Sequence, residues 1–82
     1  MKRQTTADKA LEVCEWIDSG KAREWRVLSG LSLRESADSC EVTSAAVLRW
    51  ERGERRPRGR NVAAYHKLLS RLSAGANHAG AA

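Results

Sequence analysis

The sequence predicts an all-α fold, a compact bundle of about five short helices in a single structural domain, and three observations lead there. Apolar residues recur at spacings of three and four with no strand-like alternation. Hydroxyl or amide residues stand before several of these stretches, where a helix N-cap belongs, and Gly20, Gly30 and Gly53 stand just past three of their ends. A chain of 82 residues buries only ~60% of its unfolded surface, too little to divide between two cores.

The first helix opens at Thr5-Thr6-Ala7-Asp8, a hydroxyl cap with an acid three residues on, and carries Leu11, Cys14, Ile17 and Trp16 as its apolar stripe before Ser19-Gly20. A second runs over about 21–29 with Ala22, Trp25 and Leu28 on one face. Ser32 caps a third over 32–39; Glu35 completes its capping box, and Leu33, Ser36, Ala37 and Cys40 point inward. After a break of about three residues Thr43 caps a fourth helix, 44–52, that stops at Gly53. Val47 and Trp50, with Ala46, form its inner side, while Ser44, Ala45, Leu48, Arg49 and Arg52 fall on the outer side. The stretch from Gly53 to Gly59 contains the only proline, Pro57, and cannot be helical. Asn61 caps the last helix, with Val62, Tyr65, Leu68, Leu69 and Leu72 as its stripe. The expected organisation is an extra N-terminal helix over 1–20, a core over 21–72 and a flexible, small-residue tail over 73–82.

Lys and Arg number 15 against 10 Asp and Glu, a net charge of +5 that favours a polyanionic partner. The excess is concentrated: Arg49, Arg52, Arg55, Arg56, Arg58 and Arg60 stand against Glu51 and Glu54. A charge run is ordinarily a solvated surface, and a GC-rich coding genome also enriches arginine; attached to an outward-facing helix, this run reads as contact with nucleic acid. No stretch of ~18 apolar residues exists to span a bilayer. The opening residues lead into mixed polar sequence instead of a signal-peptide core, so a bacterial cytosolic protein associated with the nucleoid is expected. Cys14 and Cys40 are expected as free thiols. They are far apart in sequence, His66 is placed on a polar helix face and His78 in the tail, so no metal site is expected. No phosphate-binding glycine loop, zinc-protease motif or nucleophile elbow is present, so neither catalysis nor a cofactor is expected. Trp16, Trp25 and Trp50 fall in phase with aliphatic neighbours and read as core, not as stacking platforms for bases.

Two short capped helices joined by a tight turn, the second facing solvent and followed by an arginine-rich loop, make the pattern of a helix-turn-helix. The run 31–53 resembles, without a gap, the Cro and phage-repressor (lambda-repressor-like, XRE) family of helix-turn-helix proteins. Ala37, Val42, Val47 and the ending Trp50-Glu51-Arg52-Gly53 are its most specific parts, and the likeness extends over roughly 22–72. The resemblance implies a transcriptional regulator that binds double-stranded DNA, with 32–39 as positioning helix and 43–52 as recognition helix in the major groove. It places Ser44, Ala45, Leu48 and Arg49 at the base edges. Phosphates fall to Ser32, Arg34, Thr43, Arg52, Arg55, Arg56 and Arg58, and to backbone amides at the start of the positioning helix. It also pairs Arg26 with Glu51 in a partly buried structural ion pair.

Two positions depart from the pattern. Glu41 stands where the turn usually carries glycine, which requires a left-handed non-glycine residue or a different turn. Leu33 replaces a glutamine that commonly touches phosphate or braces the recognition helix. Three functions fit these residues: a phage or prophage regulator of Cro or repressor type, an antitoxin whose N-terminal helix grips a protein partner, and a protein-interaction module without DNA binding. The tail lacks a large apolar group, so a monomer and a weak dimer formed on DNA both stay open.

Overall fold

A computed structural model describes residues 4–81, with side chains as far as Gly75. The described residues form helices α1 (Thr6–Asp18), α2 (Lys21–Leu28), α3 (Leu33–Cys40), α4 (Ser44–Glu51) and α5 (Arg60–Ala81), with no strand among them. The all-helical expectation holds. The long α5 is the spine against which α1, α2 and α3 pack, and α4 packs on α3.

Local chemistry sets the starts of three helices. Thr5 accepts a hydrogen bond from the Asp8 amide while the Asp8 carboxylate accepts one from the Thr5 amide, and Ser32 and Glu35 repeat this reciprocal box on α3. Thr43 accepts from the Ala46 amide at 3.2 Å to start α4. The core gathers Val13, Ile17, Ala22, Ala37, Cys40, Val47, Trp50, Tyr65, Leu68 and Leu69. Trp50 tilts against Tyr65 with ring centroids 4.8 Å apart. Trp16 meets Trp25 edge-on at 5.2 Å, both half-buried against the core. Cys14 and Cys40 are free thiols, and burial pushes that of Cys40 up.

Five expectations need correction. On α1 the inward residues are Val13 and Ile17, while Leu11 is 68% exposed. At 100° per residue Leu11 lies nearly opposite Val13, and α5 packs on the Val13 side. On α2 the inner face is Ala22, Trp25 and the stem of Arg26, leaving Leu28 59% exposed. The outer limit of α4 falls one residue early, with Arg52 as C-cap. The last helix starts at Arg60, so Asn61 lies inside its first turn instead of capping it. His66 is buried and not on a polar face: it stacks on Trp16 at 5.1 Å and hydrogen-bonds Glu12 at 3.0 Å, which together make this polar ring acceptable inside.

Beyond Leu72, α5 continues through Ala81. Elongating an established helix costs far less than nucleating one, and the alanine-rich composition favours it. No helix among the described residues is long and apolar enough to cross a membrane.

Candidate nucleic-acid interface

The turn between α3 and α4 depends on Glu41, whose φ of 58° and ψ of 45° place a non-glycine residue in the left-handed region. That single residue ends α3, and the Val42 amide returns to the Ala37 carbonyl at 3.0 Å, as in a Schellman closure. The chain can then enter α4 at Thr43 within two residues. Val47 at 0% exposure and Trp50 at 4% lock the inner side of α4 into the core. Ser44, Ala45, Arg49 and Arg52 are exposed together on the other side, and Leu48 beside them is half-buried. A largely exposed helix side, on a helix held rigid from behind, is the shape that enters a major groove.

Arg26 fixes the height and tilt of α4. Its Nε and Nη2 donate to the two carboxylate oxygens of Glu51 at 2.5 and 3.0 Å, and Nη1 donates to the Leu31 carbonyl at 3.0 Å. The fork therefore ties α2, the turn before α3 and the last turn of α4 into one unit. Glu51 is 2% exposed and Arg26 14%, and the hydrogen bonds from Arg26 to Glu51 hold the guanidinium above its ordinary range. The Tyr65 hydroxyl lies nearby, buried and with no partner among the described residues, and burial pushes its pKa up.

The residues assigned to phosphates occupy three places. Ser32 and Thr43 stand at the starts of α3 and α4, exposed; each hydroxyl oxygen accepts from a backbone amide, which leaves its own O–H free to donate outward. Arg34 is exposed on the first turn of α3. The amides of Ser32 and Glu35 are engaged in the capping box, so those of Leu33 and Arg34 remain for an external anion. Arg52, Arg55, Arg56 and Arg58 are exposed around the segment after α4, where Pro57 alone is buried. Arg52 lies 3.7 Å from Glu54. Arg56 is engaged internally: its Nη2 donates to Asp18 at the end of α1, 3.0 Å from one carboxylate oxygen and 3.4 Å from the other.

Between α1, α4 and this segment runs an open groove lined by Ala10 and Cys14, by Ala46 and Arg49, and by Arg55 and Arg58. Sequence reasoning missed the part α1 takes in it. The one available signal was Asp18, an acid at the end of a helix in a chain whose basic excess lies elsewhere. Among the described residues no group of three or more His, Cys, Asp or Glu gathers as metal ligands would.

A family model described as helix-turn-helix matches residues 23–73, well over half of the chain. No curated protein and no solved structure matches it significantly. The matched stretch begins inside α2 and covers α3, the turn, α4, the arginine segment and the packed part of α5, leaving out α1. The chain belongs to the XRE-type, Cro/repressor-like helix-turn-helix family, whose members are DNA-binding transcription regulators and generally not enzymes.

Proposed function

We propose that the chain is a phage or prophage regulator of Cro or repressor type that occupies an operator with residues 43–52 laid in the major groove. The observation that carries this reading is the exposed outer side of α4, backed by Val47 and Trp50 and followed directly by an arginine cluster. Arg49 discriminates sequence, because a paired contact to guanine O6 and N7 contributes about 1–3 kcal/mol against the wrong base. Ala45 and Leu48 meet thymine methyl groups, and Ser44 bonds a base edge. Ser32, Arg34, Thr43, Arg52, Arg55 and Arg58 neutralise or bond phosphates, giving affinity without sequence preference. The chain works as a monomer or as a weak dimer formed on DNA.

The test compares two variants on duplexes drawn from a randomised library. Arg49→Ala is expected to relax base preference at one position. Arg55→Ala is expected to leave the preferred sequence intact and reduce the slope of log K against log salt by about 0.9. An unchanged preferred sequence for Arg49→Ala rejects the assigned reading side. An antitoxin-like second reading has one observation in its favour, the exposed aliphatic residues Leu11 on α1 and Val27 and Leu28 on α2. It predicts that polar substitution there abolishes capture of the product of a neighbouring gene and leaves DNA affinity unchanged.

A further inference from the structure

The basic cluster and α1 are joined by one contact that the helix-turn-helix pattern does not require. Arg56 lies over the α1 face that carries Cys14 and Asp18, one turn apart, and its guanidinium bonds the Asp18 carboxylate at 3.0 and 3.4 Å. The next residue, Pro57, is buried and lines the same groove as Ala10 and Cys14 of α1. The segment is therefore bonded to α1 at Arg56, beside a buried Pro57. Its ends are Gly53 and Gly59, at φ of 73° and 58°; the amides of Glu54 and Arg55 donate to the Arg49 carbonyl at 2.9 and 3.3 Å, so the part that swings when untethered is the stretch beyond Arg55, hinged at Gly59.

We propose that Asp18 is a positioning residue for DNA binding: through Arg56 it fixes the stretch beyond Arg55, so that Arg58 stands with Arg55 and Arg49 on the wall of the groove before DNA arrives. This rests on the reading that α4 and the segment after it meet duplex DNA. Arg56 then belongs to the scaffold and not to the phosphate-contacting set, and α1 raises affinity without touching the nucleic acid. The ordering of Arg55 and Arg58 takes place on folding, so less conformational freedom is lost on binding. Both side chains of the pair are about half exposed, at 45% and 61%, so its loss leaves the fold standing.

The sign of one effect separates this role from plain electrostatics. Asp18→Asn removes a negative charge from a chain of net charge +5, which by charge alone tightens binding to DNA. Positioning demands the opposite. With a duplex selected by the wild-type chain from a randomised library, Asp18→Asn is expected to weaken binding by about threefold to tenfold. Its salt slope and melting temperature stay those of the wild type, because no phosphate contact and no buried contact is lost. The exchanged pair, Asp18→Arg with Arg56→Asp, keeps the net charge and restores the tether, and is expected to return to within about twofold of wild-type affinity. In the free protein, amide relaxation of Arg56 and Arg58 should report greater mobility in Asp18→Asn, while the Arg55 amide, bonded to the Arg49 carbonyl, stays as in the wild type. Equal or tighter binding by Asp18→Asn, or an exchanged pair that binds far more weakly than Asp18→Asn alone, overturns the inference and leaves the functional reading in place. A wild-type chain that selects no duplex overturns both.

Discussion

Glu41 and the Arg26–Glu51 pair each decide where α4 stands, and they do so by different physics. The left-handed backbone at Glu41 costs about 1 kcal/mol against glycine, part of which is returned because glycine loses more freedom on folding. Glu41→Gly is thus expected to raise stability by up to about 1 kcal/mol, read as a higher denaturant midpoint at unchanged slope; a lower midpoint contradicts the strain. The ion pair is nearly sealed, so removing one partner strands the other. Arg26→Ala or Glu51→Ala should cost about 3 kcal/mol, the lower end for a buried pair since Arg26 keeps 14% exposure, and removing both should cost less than either alone. A double-mutant cycle measures this, and additive losses reject the coupling. The left-handed residue could be foreseen because Glu41 occupies a position that the turn reserves for glycine. Contacts between residues far apart along the chain carry no such local mark. The Arg26–Glu51 pair, 25 residues apart, came from family resemblance alone, and Asp18–Arg56, 38 apart, was marked only by an acid at the end of α1, which names no partner.

The starts of α1 and α3 were legible because the cap and the acid three residues on are local chemistry, and that of α4 because of Thr43; the start of α5, placed at Asn61, was not. Inner faces were less legible. On α1, Leu11, Val13, Cys14, Trp16 and Ile17 offer more than one apolar stripe, and only the position of α5 selects Val13 and Ile17. His66 was misplaced for the same reason, since its partners Trp16 and Glu12 lie on another helix. The box at the start of α3 makes a prediction for pH. The hydrogen bond from the Ser32 amide, with a smaller contribution from the Ser32 side chain, holds the Glu35 carboxyl below its ordinary 4.5. A folded-state pKa below the unfolded one adds stability that is present above the unfolded value and is lost as pH falls through the folded one. Glu35→Gln should therefore narrow its stability deficit against wild type as the buffer is taken below about pH 4.5. Denaturant midpoints that stay parallel across that range contradict the capping role.

For the molecule as a whole, the core and the proposed interface share one helix. Val47 and Trp50 make α4 part of the scaffold, while the residues between them in helical phase stay outside, so the side proposed to read bases is as rigid as the core behind it. The arginine cluster extends that side along the segment after α4, and α1 closes the far wall of the groove. Amide chemical shifts followed while a selected duplex is titrated into the labelled protein test this account most directly. The account predicts that the largest changes fall on Ser44, Ala45, Leu48 and Arg49 and on the segment carrying Arg55 and Arg58. Changes confined to the Leu11, Val27 and Leu28 surface, with α4 unmoved, would contradict it.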